Sequence, residues 1–165
     1  YYKSFNLPVK IIRPFNTYGP RQSGRAVIPR IILQSLNKKN KKIILGNLSP
    51  TRDFNYVEDT CEAYFDVLKC KKLLGKTVNV GSNTNISIEN LAKKIMKVTR
   101  TNLNFKKNKK IIRPILSEVD NLKCDNHLIQ NLTKWRPKTN LDQGLKKTIE
   151  WIKDNYEEYS DKYEI

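Results

Sequence analysis

Arg13-Pro14-Phe15-Asn16-Thr17-Tyr18-Gly19-Pro20-Arg21-Gln22-Ser23-Gly24-Arg25-Ala26-Val27-Ile28-Pro29 is the stretch on which the fold turns. The run from Leu7 to Phe15 leading into it predicts a buried parallel strand that ends at Pro14, since strands covered on both faces are apolar along their length. Asn16-Thr17-Tyr18-Gly19-Pro20 then predicts a loop, with the Gly-Pro dipeptide as its punctuation. Beyond it, Val27, Ile28, Ile31, Ile32 and Leu36 predict a helix over Val27 to Leu36, with Pro29 in the first turn, where a missing N–H is tolerated. A strand, a loop and a helix in that order form an α/β unit. Open sheets built from such units bind ligands beyond the carboxyl ends of their strands. Asn16, Tyr18, Arg21 and Arg25 fall at that edge.

Further along, Ile43-Ile44-Leu45 predicts a short strand closed by Gly46. Arg52-Asp53-Phe54-Asn55-Tyr56-Val57 alternates as a strand does, and Asp59 predicts the cap of a helix reaching about Cys70. Thr77 to Gly81 is a further strand and turn. Ser87 predicts a cap for a helix whose Ile88, Leu91, Ala92 and Ile95 share one face. Lys106 to Lys110 reads as a charged connector before Ile111-Ile112-Arg113-Pro114, and helices over 125–135 and 141–156 close the chain. No internal repeat is present, and the mixture is continuous α/β.

At 165 residues the chain has the length of one domain, or of one and part of another. It is 38% hydrophobic and 29% charged, near globular averages. No apolar run approaches the roughly 20 residues of a membrane helix, which excludes that role. Tyr1-Tyr2-Lys3 carries neither an initiator Met nor a signal-peptide pattern, so the chain reads as the middle of a longer protein with the cytoplasm as its expected location.

The formal net charge of +16 comes mostly from Lys pairs in turns and on outer helix faces, accompanied by abundant Asn. A compositional bias gives this picture, and so does a basic nucleic-acid-binding module. Against the module, the pairs form no single stripe and no nucleic-acid motif occurs. Four of the eight Arg lie between Arg13 and Arg30. A planar guanidinium grips two phosphate oxygens at once, so this spacing fits a phosphate-bearing ligand as well as surface salt bridges. Cys61, Cys70 and Cys124 are odd in number and lack CxxC spacing, which points to reduced thiols and to no zinc site. His127 stands alone as a surface or packing residue, without support for a His-dependent triad.

Three segments in sequence, Arg13 to Ser23, Arg52-Asp53-Phe54-Asn55-Tyr56-Val57-Glu58-Asp59 and Asn79-Val80-Gly81-Ser82, resemble the C-terminal half of extended short-chain dehydrogenases/reductases. The resemblance is to NAD-dependent nucleotide-sugar 4,6-dehydratases and epimerases. Within these it is to the legionaminic-acid-pathway NDP-N-acetylglucosamine 4,6-dehydratases of surface polysaccharide biosynthesis. It runs from Tyr1 to about Trp151 and weakens after Arg113, where Ser117-Glu118-Val119 departs from the glucose-dehydratase pattern.

The resemblance implies the last strands of a Rossmann-like parallel sheet plus a small C-terminal α/β substrate-binding domain. Residues 1–25 and 47–81 would form the interface between the two, and residues 26–46 and 82–156 mainly the substrate domain. It implies NAD as cofactor, passing near Pro14, Phe15, Asn16 and Thr17, and a nucleotide-activated hexose as substrate. Asn16 would hold the diphosphate or sugar and Arg52 the diphosphate. Ala26 and Val27 would line the nucleotide, with Ile43, Ile44 and Leu45 as a strand beside the base. Asn79 would bond the nucleotide portion, and Arg113 would be a further substrate arginine. A homodimer is implied, with no metal, membrane or nucleic-acid partner.

Two of the family's signatures are missing from these 165 residues: no GxxGxxG occurs, and none of the eight Tyr is followed four residues later by Lys. The acid/base Tyr and Lys are therefore expected upstream of Tyr1, and the chain alone is expected to lack turnover. In the implied reaction the Tyr removes the 4-hydroxyl proton as the C4 hydride passes to NAD, water is lost across C5 and C6, and the hydride returns to C6. An epimerase would return it to the opposite face of C4, and nothing between Tyr1 and Ile165 separates the two.

Overall fold

Pairs of short parallel strands, joined by helical crossovers, organise the chain. The structure, a computed structural model, describes residues 1–108 and 117–160. After α1 (Tyr2–Phe5), strands β1 (Ile11–Pro14) and β2 (Asn16–Tyr18) lead into α2 (Val27–Leu36). Strands β3 (Lys42–Leu45), β4 (Thr51–Arg52) and β5 (Phe54–Tyr56) precede α3 (Val57–Lys69). Then come β6 (Thr77–Val80), β7 (Ile86–Ser87), α4 (Ile88–Thr99) and β8 (Asn104–Lys107), and later α5 (His127–Leu132), α6 (Leu141–Asp154) and α7 (Glu157–Ser160). β1 pairs in parallel with β6, β2 with β5 and β3 with β8, while β4 and β7 are antiparallel. Parallel partners cannot be joined by a tight turn, so helices must intervene. The fold is mixed α/β, as the sequence predicts.

Two apolar clusters hold these elements. The larger packs Ile28, Ile31 and Ile32 of α2 against Leu91 and Ile95 of α4 and Leu145 and Ile149 of α6, with Tyr18 and Tyr56 at its base. The smaller joins Ala63 and Val67 of α3 to Val78 and Val80 of β6, Ile129 of α5 and Trp135. The α4 stripe is the predicted one, and the Ser87 hydroxyl accepts the Asn90 amide at its start. Asn140 and Gln143 cap α6 reciprocally, each satisfying an amide that the helix leaves open.

Tertiary contacts revise several expectations. Asn16 to Tyr18 is a strand and not a loop, because parallel pairing with β5 satisfies its backbone. The strand within Leu7–Phe15 spans only Ile11–Pro14 and is largely exposed, since the pairing described for it is along one edge, with β6. Arg52 to Val57 divides into β4, β5 and the start of α3, and Phe54, Asn55 and Tyr56 are all buried, without alternation. Asp59 is not the cap of α3. That position is Tyr56, and the Asp59 carboxylate instead accepts the Lys138 and Thr139 amides, fastening the approach to α6. Lys106 and Lys107 belong to β8, opposite Ile44 and Leu45, and not to a connector. The predicted helix over 125–135 contracts to α5. Arg113, with the rest of 109–116, lies outside the described residues.

Gly144 marks the closest approach of α6 to the strands beneath it. A Cβ there would overlap Tyr18 Oη and stand 2.8 Å from its Cζ and 2.9 Å from Tyr56 Cδ2. The Tyr18 hydroxyl donates to the Leu141 carbonyl in the first turn of the same helix, and burial, followed by Tyr56, Asp59 and Asp142 nearby, pushes its ionisation well up, so it stays a donor. Within an isolated helix Ala is favoured over Gly by about 1 kcal/mol. Overpacking outweighs that here, so Gly144→Ala should lower stability by roughly 1–3 kcal/mol in chemical denaturation. A stabilised variant would show that α6 can move away from the tyrosines.

Candidate functional site

Asp53 ties the second and third sequence motifs together. Its carboxylate is fully buried and accepts the Ser82 amide at 2.8 Å, the Ser82 hydroxyl at 2.7 Å and the Cys124 amide at 3.0 Å. Gly81 permits the arrangement, because a Cβ at that position would lie 2.5 Å from Cys124 Cβ. The Asp53 carbonyl meanwhile accepts from the Asn16 side chain at 2.9 Å, which brings in the first motif. Composition and periodicity offer no sign of this role. The available signal was a carboxylate standing between Arg52 and Phe54, at the junction of β4 and β5.

With Asp53 fixed, its neighbours Arg52 and Phe54 both line a cavity of about 430 Å³. Asn16 and Thr17 open onto it from the start of β2, and Ala26, Val27 and Ile28 from the start of α2. Arg25, Arg30 and Arg52 contribute three cationic groups to its wall, against one carboxylate, Glu118. The N-cap of α2 is Ala26, which has no side-chain acceptor to offer, and Pro29 has no N–H. The open amides of that first turn are therefore those of Val27 and Ile28, where the helix end favours negative charge. A cavity with an apolar floor, arginines and a helix N-terminus suits a ligand with both a flat apolar part and phosphates. A second cavity of about 400 Å³, lined by Ser82, Thr84, Lys94 and Lys138, shares Arg52 and Phe54 with the first.

Of the residues singled out in the sequence, Asn16, Thr17, Ala26, Val27, Leu45 and Arg52 are brought together around the larger cavity. Ile43 and Ile44 are not among its lining residues: alternation along β3 turns Ile43 into the core and leaves Ile44 outside, its backbone bonded to the Gln34 side chain. Asn79 sits opposite Arg13 in the β1–β6 pair and directs its amide to the Asp125 carbonyl at 3.4 Å, away from the cavity wall. Pro14 is exposed and Phe15 half-buried, neither lining the cavity. Glu118, unassigned by the sequence, is in the wall. Among the described residues, no three His, Cys, Asp or Glu side chains gather as a metal would need, and no helix is long and apolar enough to cross a membrane.

This architecture is that of the extended short-chain dehydrogenases. The family profile of GDP-mannose 4,6 dehydratase matches residues 1–148, and the chain belongs to that family of nucleotide-sugar dehydratases and epimerases. The human dTDP-D-glucose 4,6-dehydratase is 33% identical over 160 residues, covering 94% of this chain and 45% of its own length. A UDP-N-acetyl-alpha-D-glucosaminuronate decarboxylase of Bacillus cytotoxicus is 32% identical over 153 residues, 90% of this chain and 47% of that protein. Among solved structures, the UDP-glucuronic acid 4-epimerase of Bacillus cereus, in complex with UDP-glucuronic acid and NAD, superimposes with a TM-score of 0.83 at 27% identity, covering 94% of this chain and 48% of its own. The chain spans about half the length of the curated relatives it matches.

Burial, then the Asp53 and Asp125 carboxylates, push the Cys124 thiol up to about 12. Near pH 8 a thiol reagent should modify exposed Cys61 and spare Cys124. Asp53→Asn turns an amide NH2 toward a backbone donor, and should cost roughly 2–4 kcal/mol by denaturation while exposing Cys124 to the reagent. Unchanged stability with Cys124 still protected would show that the network is dispensable.

Proposed function

We propose that this chain is the nucleotide-sugar-binding portion of an NAD-dependent 4,6-dehydratase acting on NDP-N-acetylglucosamine and yielding a 4-keto-6-deoxy sugar nucleotide. The observation that carries this reading is the arginine-lined cavity at the junction of β1 and β2, to which the first two motifs contribute Asn16, Thr17 and Arg52, the third being tied to them through the bond of Ser82 to Asp53. Arg52 takes the diphosphate, and the Val27 and Ile28 amides add donors at the start of α2. Ala26, Val27 and Leu45 cover the nucleotide, while Asn16 orients the sugar. Asn79 and Arg113 stay as contacts that the resemblance alone implies, Asn79 standing outside the cavity lining and Arg113 outside the described residues. The substrate domain is drawn mainly from 26–46 and 82–156, with 1–25 and 47–81 facing the cofactor-binding part. The relative acting on an N-acetylated hexuronate supports the N-acetylglucosamine assignment. An NDP-sugar 4-epimerase is the second reading, favoured by the structural match to an epimerase.

Pro14, Phe15, Asn16 and Thr17 are the residues that would border NAD. They fit that role in one respect: they lie where β1 ends and β2 begins, and the Asn16 amide is held by Asp53 with its carbonyl oxygen free to accept among the described residues. Bound there, NAD supplies reversible hydride transfer at C4. The chain's own part is positioning. Gripping phosphates remote from the reacting carbons lets binding energy fix the sugar's orientation, and the acid/base residues are supplied from outside this stretch. The assembled protein works in the cytoplasm as a homodimer, on a soluble sugar nucleotide and not on nucleic acid.

Replacing a two-oxygen fork by a point charge, Arg52→Lys should weaken binding of the sugar nucleotide by roughly 1–3 kcal/mol in calorimetry. Lys41→Ala, on an exposed turn, should leave it unchanged. Equal responses would return Arg52 to the general surface charge.

A further inference from the structure

Glu118 lies in the segment where the family resemblance is weakest, yet it holds the arginine on which the proposed function depends. Its Oε1 accepts from Arg52 Nη2 at 2.7 Å, and both side chains are about 15% exposed within the cavity wall. The same guanidinium donates through Nη1 to the carbonyls of Thr51 at 2.8 Å and Val119 at 2.5 Å. Three of the five N–H donors of Arg52 are thereby engaged. The Nε proton and one Nη2 proton are left without an acceptor among the described residues.

The segment bearing Glu118 is itself fastened to the strand that carries Arg52. Thr51 donates its amide to the Asp120 carbonyl at 2.8 Å and accepts the Leu122 amide at 3.1 Å, a parallel bridge opposite Asn121. The Thr51 hydroxyl and the Asn85 side chain both donate to Asn121 Oδ1 at 2.6 Å. Thr51 thus docks the segment, and the segment returns Glu118 and the Val119 carbonyl to Arg52. A long side chain free in solution loses rotamer entropy when it binds, and one already held in place loses less.

We infer that Glu118 is a positioning residue: it fixes Arg52 so that its two remaining donors face the cavity, ready for the phosphate oxygens of a nucleoside diphosphate. This inference rests on the phosphate-binding reading of the cavity. It predicts that Glu118 favours an anionic ligand although it is itself an anion beside the site.

The test is calorimetry on the 165-residue chain with UDP, dTDP and GDP, each compared with its nucleoside, in wild type, Arg52→Lys, Glu118→Gln, Glu118→Asp and the double variant Arg52→Lys with Glu118→Gln. Taking whichever diphosphate the wild type binds tightest, Glu118→Gln should weaken it about 3- to 10-fold, the effect of releasing one rotamer-rich side chain, with nucleoside affinity unchanged. Glu118→Asp keeps the charge but falls short of Arg52, and should weaken binding in the same direction. If Glu118 acts through Arg52, the double variant should bind no worse than Arg52→Lys alone. A collapse of the fold would lower nucleoside and diphosphate binding together, and a thermal melt of each variant identifies it. Tighter or unchanged diphosphate binding by Glu118→Gln, with Arg52→Lys still weakened, would overturn the positioning role and leave the phosphate reading standing. A wild type that binds no diphosphate better than its nucleoside would overturn the phosphate reading itself.

Discussion

A buried carboxylate is the constraint on which this site depends. Removing an ion from water costs several kcal/mol, and Asp53 meets no cation among the described residues. Three donors from two other segments compensate instead, two from Ser82 and one from Cys124. Because an unsatisfied carboxylate is so unfavourable, the junction of β4 and β5 that carries it is held to the turn after β6 and to the strip leading to α5. That meeting sets the backbone direction of Arg52 and Phe54, on either side of Asp53. The cavity wall is a consequence of satisfying one ion.

The charge of the chain and the charge of its site are different matters. Most of the +16 resides on Lys side chains such as Lys38, Lys39, Lys71, Lys72, Lys146 and Lys147, which stand in solvent. Some meet carboxylates, as Lys93 does Glu89 and Lys147 does Glu58, but exposed pairs of this kind contribute little. Screening over about 8 Å mutes their reach into the cavity. The wall itself uses Arg25, Arg30 and Arg52, whose fixed fork suits paired oxygens. Local geometry, more than net charge, therefore sets the character of the cavity.

Much of this was legible in the sequence. The helix over Val27–Leu36 followed from apolar spacing and Pro29, and the start of α4 from Ser87, because both depend on interactions within a few residues. The strand at Ile43–Leu45 was legible from its short apolar run closed by Gly46, and the α/β class from the alternation of strands and helices, while Arg52 was marked by the family resemblance. Four of the residues that the resemblance implied, Asn16, Ala26, Val27 and Arg52, converge on one cavity.

Tertiary structure alone decided the rest. Asn16–Tyr18 carries the signals of a loop and becomes a strand, because its backbone partners are 38 residues away in β5. Asp59 has the composition of a cap and serves instead as an acceptor for amides 79 and 80 residues downstream. Asp53, Gly81 and Cys124 have no local pattern to reveal that they share one packed point, and Glu118 none to show that it faces Arg52. Hydrogen-bond partners distant in the chain leave no periodicity behind them, so a sequence can specify which residues must be satisfied while only the folded chain fixes by whom.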